Sequence, residues 1–302
     1  MRKRFAVILS TVASIILVLC ILFSALQLTM NDKNYIEYEY SRLQVARGMG
    51  MSNMDLVNSC NRLIDYMEGR VDSIDILVTV NGEQVLMFDQ PQEVSHMADV
   101  RLLYQNFRTY RDFGLLLALV LYLFSAILHV RTAMHTLASG YLYGAFVIAL
   151  FAGFIGTWAA LDFSSFWTFF HQMLFWNEDW LFDATTSRMI NMLPEKFFSD
   201  MILRMAAIAG AAFLLLLGGS IALLVSMRKK RMAARERARQ RALAARAAKR
   251  EAAAKQHAAA QGAAGQNAAG QSPAVTAGST PPQSTGNLPQ SAGDLPATEE
   301  QP

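Results

Sequence analysis

The chain has 302 residues, of which 53% are hydrophobic and only 17% charged, with a formal net charge of +3. Globular domains carry about 25% charged residues, so this composition argues against an ordinary soluble protein. The net charge is a poor guide to partners, because the basic excess is confined to the C-terminal part of the chain.

Four apolar stretches with almost no charge follow one another: Phe5 to Leu28, Phe113 to Val130, Tyr141 to Leu161 and Met201 to Met227. Each matches the ~20 residues that a helix needs to cross hydrocarbon. The first also has features of a secretory signal, but it exceeds the ~7–15 residues of a signal core, which favours an uncleaved anchor. We predict a mainly α fold with four transmembrane helices, the first within residues 1–30 and the fourth at 201–227.

Lys and Arg near helix ends remain on the cytoplasmic side. Basic residues precede the first stretch at 2–4 and follow the fourth from Arg228 onward, so both termini are predicted to be cytoplasmic. Residues 31–112 carry thirteen acidic and eight basic residues, a net of −5, which suits the opposite side. The second and third spans, within 113–161, are joined by a short cytoplasmic turn.

The first outer segment, 31–112, is expected to be a small α+β domain. Leu56, Leu63 and Ile64 have helical spacing, and the β-branched stretches of 71–87 are separated by Asn81-Gly82, a strong hairpin signal. A second helix should begin after Pro91 and continue into the second span. Its predicted apolar face comprises His96, Val100, Leu103 and Phe107.

The second outer segment, 162–200, is unusually aromatic. Nine of the twenty residues from Phe163 to Phe182 are Phe or Trp, with a polar break at 177–179. This composition predicts an interfacial helix or re-entrant element at headgroup depth.

The C-terminal part divides by composition. Residues 228–256 are rich in Ala, Arg, Lys and Glu, which favour a basic cytoplasmic helix near the anionic inner leaflet. Nucleic-acid binding by this basic run is the less favoured interpretation. From His257 to Pro302, small and polar residues dominate, and a disordered tail is expected.

Two histidines fall in the outer segments. His96 lies in Glu93-x-x-His96-x-x-Asp99, where each carboxylate is one helical turn from the imidazole and can stabilise its protonated form. The local pattern alone favours an inert, hydrogen-bonded histidine over a general base. His171 lies on an aromatic face, and this placement suits membrane catalysis and simple interfacial anchoring equally.

Other chemistries have weaker support. Cys60 is the only outer cysteine, so no disulfide within the outer segments is expected. No metal-ligand spacing, phosphate-binding loop or dinucleotide fingerprint is present. The apolar stretches lack ionisable residues in their interiors, which argues against ion-coupled transport.

The outer motifs, taken together, resemble those of a bacterial membrane-protein family, the lipoprotein intramolecular transacylases called Lit, known chiefly from low-GC Gram-positive bacteria. The resemblance covers residues 1–227 and is carried by Met51-Ser52, Asp55-Leu56, Leu63-Ile64-x-Tyr66, Glu93-x-x-His96-Met97-x-Asp99-Val100 and Phe170-His171-x-x-x-Phe175-x-Asn177-x-x-Trp180-x-Phe182-Asp183.

The resemblance implies an enzyme of the bacterial cell membrane that needs no cofactor or metal. Its reaction would move the sn-2 acyl chain of a diacylated lipoprotein onto the α-amino group of the N-terminal cysteine, giving a lyso-form lipoprotein. His96 and His171 would then transfer protons, with Asp99 or Glu93 orienting His96. The aromatic segment is the candidate lipid wall, with Trp167, Phe170, Phe175, Trp176 and Trp180 as candidate contacts, although simple interfacial anchoring is the favoured interpretation of the tryptophans.

Two alternatives remain open. One is a non-catalytic membrane protein whose outer domain binds an envelope partner and whose tail binds membrane lipids or a cytoplasmic protein. The other is a lipid ester hydrolase that releases free fatty acid. The oligomeric state does not follow from the sequence.

Overall fold

The computed structural model describes residues 2–268, and these are mainly helical. The chain divides into two units at Ala234 and Arg235. Four helices of the described chain are long and apolar enough to cross a membrane: α1 (Arg2–Met30), α5 (Pro91–Leu128), α6 (Ala133–Leu161) and α9 (Glu195–Ala268). The predicted four-helix membrane architecture is therefore confirmed at this level.

Small and hydroxyl side chains hold α1 against its two neighbours. Ser125 Oγ on α5 donates to Ala6 O at 2.8 Å, and Ser10 Oγ donates to Leu137 O on α6 at 3.3 Å. A Cβ at Gly140 would collide with Ser10, so only glycine lets α1 and α6 approach this closely. At the next residue of α6, Tyr141 Oη donates to Phe213 O on α9 at 3.1 Å.

A small α+β domain connects α1 to α5. It contains α2 (Lys33–Leu43), α3 (Val45–Gly48), α4 (Asn53–Met67), β1 (Leu77–Val80) and β2 (Glu83–Leu86). The helix predicted around Leu56, Leu63 and Ile64 is confirmed, because all three side chains are buried on α4. Ser52 caps this helix by accepting a hydrogen bond from Asp55 N at 3.0 Å.

The predicted hairpin is also confirmed. Strands β1 and β2 pair antiparallel with Val80 opposite Glu83, which leaves Asn81 and Gly82 as a two-residue loop. Both have positive φ, 52° and 89°, as a type I′ turn requires. Asn81 N donates to Gly50 O at 2.8 Å, which ties the loop to the segment before α4.

Two features differ from the sequence-based expectation. The α5 helix itself begins at Pro91 and continues into the second span as predicted, and Gln90 and Glu93 form a capping box around that proline. The buried residues in its outer part are Glu93, His96, Met97 and Tyr104, whereas Phe107, which belongs to the predicted face, is exposed. The turn between α5 and α6 is shorter than predicted, a single 3-10 turn at Val130–Thr132.

The aromatic segment forms α7 (Phe163–Leu174), an irregular stretch, and α8 (Arg188–Met192). The α9 helix then continues to Ala268, beyond the boundary at residue 256 that composition suggested. Alanine-rich sequence, the best helix former, accounts for this extension. The rest of the predicted disordered tail, 269–302, lies outside the described residues.

Candidate active site

The first turns of α5 position His96. Pro91 occupies the first helical turn and Glu93 belongs to the capping box, so the helix start is fixed just before the histidine. The imidazole is only 7% exposed, and its Nδ1 has no hydrogen-bond partner among the described residues. A buried ring nitrogen without a partner is costly to leave unsatisfied, which marks it as a position where a substrate group can bind.

His171 lies near the end of α7, and its ring orientation is fixed by the helix backbone. Its Nδ1 lies 2.8 Å from the carbonyl oxygen of Trp167. A carbonyl only accepts hydrogen bonds, so Nδ1 carries the proton and Nε2 of the neutral ring is left with a lone pair. This tautomer is the one that can accept a proton through Nε2.

The structure brings the two histidines together. Their ring centroids are 6.0 Å apart, although the residues are separated by 75 positions in the sequence. His171 is 9% exposed, so both rings are largely shielded from solvent. At this separation both imidazoles can reach the same small substrate group.

Aromatic side chains enclose the pair. Phe175 and Phe182 place ring centroids 5.0 and 5.5 Å from that of His96, while Trp167 and Trp180 lie 4.7 and 5.1 Å from that of His171. The rings shield the pair from solvent, which strengthens electrostatic interactions between groups inside the site.

This environment keeps both rings neutral near pH 7. Burial, reinforced by the neighbouring His171, lowers the pKa of His96 to about 4, although Asp99 and Asp179 oppose the shift. Burial also lowers the pKa of His171 below its ordinary value, against the effect of its hydrogen bond to Trp167. A neutral imidazole is the form that a general base or a neutral hydrogen-bond donor needs.

The two candidate orienting carboxylates contact the aromatic loop. Glu93 is fully buried and accepts hydrogen bonds from Ser187 Oγ at 2.6 Å and Met189 N at 3.0 Å. Asp99 accepts one from Asn177 Nδ2 at 2.8 Å. Each therefore fixes the loop that closes the site, and Asp99 also acts on His96 through its charge.

Sequence reasoning missed several polar residues that hold this loop against α5. Ser95 Oγ donates to Asp179 Oδ2 at 2.6 Å, and Gln92 Nε2 donates to Leu181 O at 2.9 Å. The polar break at 177–179 was a usable signal for the first contact. Ser187 carried no such signal, because a lone serine in a polar stretch fits any loop.

The aromatic candidates divide into two groups. Trp167, Phe170, Phe175 and Trp180 all have rings within 6 Å of His171, the Phe170 centroid at 5.6 Å. Trp176 is instead fully exposed, and its position suits contact with lipid better than contact with the histidines. Among the described residues, no group of three or more His, Cys, Asp or Glu side chains could hold a metal ion.

Comparisons with known proteins agree with this architecture. The family model described as "Lipoprotein intramolecular transacylase Lit" matches residues 11–198, more than half of the chain. No curated protein matches the chain.

Solved structures of the membrane integral lipoprotein intramolecular transacylase Lit from Bacillus cereus share the fold. One is 20% identical with a TM-score of 0.57 and aligns over 76% of this chain and 99% of its own. A form of that protein with a histidine replaced by alanine is 18% identical, with a TM-score of 0.58 and 96% of its own chain covered. It also aligns over 76% of this chain.

Proposed function

The chain belongs to the Lit family of lipoprotein intramolecular transacylases, and from this premise we propose that His96 and His171 carry out its acyl transfer. The substrate is a lipoprotein whose N-terminal cysteine bears a diacylglyceryl group. The sn-2 acyl chain moves to the α-amino group of that cysteine, and the product is a lyso-form lipoprotein. The observation that carries this proposal is the shielded pair of neutral imidazoles, 6.0 Å apart within aromatic walls.

The first step needs a base. The α-amino group has a pKa of about 8, so much of it is protonated near pH 7. Only the neutral amine can attack the ester carbonyl. The Nδ1 of His171 is hydrogen-bonded to the Trp167 carbonyl, so Nε2 carries a free lone pair. This Nε2 takes the amine proton. The new C–N bond forms as this proton leaves.

The second step needs an acid. As the tetrahedral intermediate collapses, the bond from carbonyl carbon to the glycerol oxygen breaks, and protonated His171 returns its proton to that oxygen. One imidazole acts as base and then as acid, so no proton is gained or lost overall.

His96 has a different role in this proposal. Its low pKa keeps the ring neutral, and its unpartnered Nδ1 donates a hydrogen bond to the carbonyl oxygen as negative charge develops there. Neutral histidine is a known electrophile of this kind. Loss of one such donor typically lowers kcat by about 100- to 1,000-fold.

The aromatic walls position the ester and the amine of the substrate relative to each other. Donor ester and acceptor amine belong to one molecule, so the enzyme must fold that molecule into an attack conformation, and such positioning can contribute roughly 7–11 kcal/mol. Trp167, Phe175 and Trp180 hold the acyl chain against the histidines in this proposal, and Trp176 anchors the loop at the membrane surface.

We further propose that the site faces the extracytoplasmic side, with both termini cytoplasmic. Basic residues at 2–4 and at 228–231 flank the same ends of the bundle, and such residues are retained in the cytoplasm. Lipoproteins carry their lipid at the outer face, where this orientation places the histidines.

The test is tandem mass spectrometry of a diacylated model lipopeptide incubated with the full-length protein in vesicles. Acyl migration is an isomerisation, so the intact mass stays constant while fragmentation shows an acyl group on nitrogen. Loss of one acyl chain as free fatty acid would identify a hydrolase and contradict the transacylase mechanism. An untouched lipopeptide with folded protein would contradict both.

A further inference from the structure

A basic segment near the C-terminal end of α9 has no part in the site described above. Residues 235–256 contain eight Lys or Arg side chains and two Glu side chains, and the second structural unit of the chain begins at Arg235. The segment also lies outside the residues that match the family model, which end at 198. Acyl transfer therefore does not explain why this segment is present.

Four arginines lie along one side of this helix. At 100° per residue, successive separations of four, seven and four residues keep them within an arc of about 60°, and the fifteen residues they span extend for about 22 Å. We call these residues the basic stripe: Arg235, Arg239, Arg246 and Arg250. Lys249 flanks the stripe. The same helical spacing places the other three basic residues on the opposite side: Arg237, Arg241 and Lys255.

The arginines of the basic stripe are available to a partner. Every residue from 228 to 256 is exposed. Among the described residues, the only ion pair of this segment joins Lys255 to Glu251 at 2.7 Å, and Glu236 instead accepts a hydrogen bond from Gln240 at 3.3 Å. Within the described part of the chain, no carboxylate therefore pairs with the stripe.

The side chains of this segment favour phosphate groups as ligands. Six of its eight basic residues are arginine, and a planar guanidinium group can donate two parallel hydrogen bonds to one phosphate. Insertion into hydrocarbon is not favoured, because Leu243 is the only apolar side chain larger than alanine in this segment, and an interfacial helix needs a face of Trp, Phe or Leu. The segment is therefore suited to a polyanion that it binds through charge.

The membrane surface is the polyanion closest to the basic stripe. Arg235 follows Met227, the end of the apolar stretch, by eight residues, so chain length alone keeps it within about 29 Å of that end. Covalent attachment makes docking intramolecular, which raises the effective concentration of headgroups above that of a polyanion in solution. A straight stripe on one side also fits a flat surface, whereas a helix in a nucleic-acid groove is contacted on more than one side.

We propose that the basic stripe docks on the anionic phospholipid headgroups of the leaflet where the fourth span ends near Met227. The four guanidinium groups contact headgroup phosphates, and the side chains of the opposite face remain in solvent. Salt reverses this docking, because the Debye length falls from about 10 Å at 0.1 M to about 3 Å at 1 M. The inference goes beyond acyl transfer and is independent of it, since the stripe contains no residue of the histidine site.

The experiment measures energy transfer between the segment and lipid headgroups. Full-length protein with a donor dye attached at Ala252→Cys is reconstituted in nanodiscs that contain a headgroup-labelled acceptor lipid. The discs consist of phosphatidylcholine alone or of phosphatidylcholine mixed with phosphatidylglycerol. The two native cysteines, Cys20 and Cys60, are buried, so the dye reports on residue 252. Energy transfer should be high only with phosphatidylglycerol, and 1 M salt should lower it to the value in phosphatidylcholine.

Two variants with the same change in charge test which face docks. The stripe variant carries Arg235→Gln, Arg239→Gln and Arg246→Gln. The matched variant of the opposite face carries Arg237→Gln, Arg241→Gln and Lys255→Gln. Each arginine at an anionic surface contributes about fivefold, so the stripe variant should lower the ratio of docked to undocked protein about 100-fold. The matched variant should lower this ratio less than about tenfold. Glutamine favours helix about as well as arginine and lysine, and circular dichroism checks that both variants remain helical.

Three outcomes would overturn the proposal. Equal energy transfer in the two kinds of disc would show that the segment does not dock on anionic lipid. An equal loss in the two variants would show that net charge acts without a docking face. Release of the segment from phosphatidylglycerol discs by an added short RNA duplex, with binding of that duplex to the protein in phosphatidylcholine discs, would assign the stripe to nucleic acid.

Discussion

Replacing Glu93 with glutamine should loosen the loop that closes the site. The Glu93 carboxylate accepts from Ser187 Oγ and Met189 N through Oε1, and from Gln90 N at 3.4 Å through Oε2. Glutamine offers one oxygen and one NH2 group, so its nitrogen must face one of these donors. The fully buried site provides no solvent to relieve that donor–donor contact.

The magnitude follows from this mismatch. A buried donor left without an acceptor costs about 1–3 kcal/mol. Opening of this segment should therefore become about 5- to 150-fold more frequent, since 1.4 kcal/mol corresponds to a factor of ten.

Hydrogen–deuterium exchange of the peptide containing Met189 measures this opening, because its amide proton is held by Glu93. Acyl transfer should fall in parallel, since Phe182 and Trp180 are carried by the same loop. Glu178→Gln changes an exposed carboxylate of that loop and should leave both readouts unchanged. Wild-type exchange of Met189 in Glu93→Gln would refute the proposed role of this carboxylate.

Three further predictions concern the pair, its walls and the bundle. Burial lowers the pKa of His96 to about 4, so below pH 6.5 this residue binds more protons in the unfolded chain than in the folded chain. The contribution of His96 to the free energy of unfolding is therefore fully present above pH 6.5 and is lost as the pH falls towards 4. Thermal unfolding against pH should show wild type losing up to about 3 kcal/mol relative to His96→Leu over that window, and identical profiles would contradict it. Trp180→Ala, beside His171, should slow acyl transfer at least about tenfold, whereas Trp176→Ala should stay within about twofold in the same assay, and the reverse order would reject the proposed wall. Gly140→Ala, which collides with α1, should lower unfolding stability by about 1–3 kcal/mol, while Gly153→Ala, which meets nothing within 4 Å, should not; equal stabilities would argue against tight packing of α1 on α6.

Local sequence rules and the overall composition were sufficient to predict much of the fold. The hairpin at Asn81-Gly82 follows from a turn that needs positive φ at both residues, and the helix start at Pro91 follows from its capping residues. Hydrophobicity alone located the four membrane helices. These features depend on residues close together in the sequence, so they are readable without tertiary information.

Only part of the candidate site can be predicted from local sequence in this way. His96 and His171 were identified as the outer histidines, but their 6.0 Å separation depends on how α7 folds back onto α5. The partner of Glu93 is Ser187, 94 residues away, and no local pattern connects them.

The most direct test of the central claim compares His171→Gln and His96→Gln for acyl migration on the diacylated lipopeptide, with His135→Gln, a histidine at the opposite end of the bundle, as control. We expect His171→Gln to reduce the rate about 100- to 10,000-fold, the effect of losing a general base. His96→Gln should retain more activity, because its amide can still donate a hydrogen bond, and the control should match wild type. Wild-type acyl migration by folded His171→Gln protein would contradict the account.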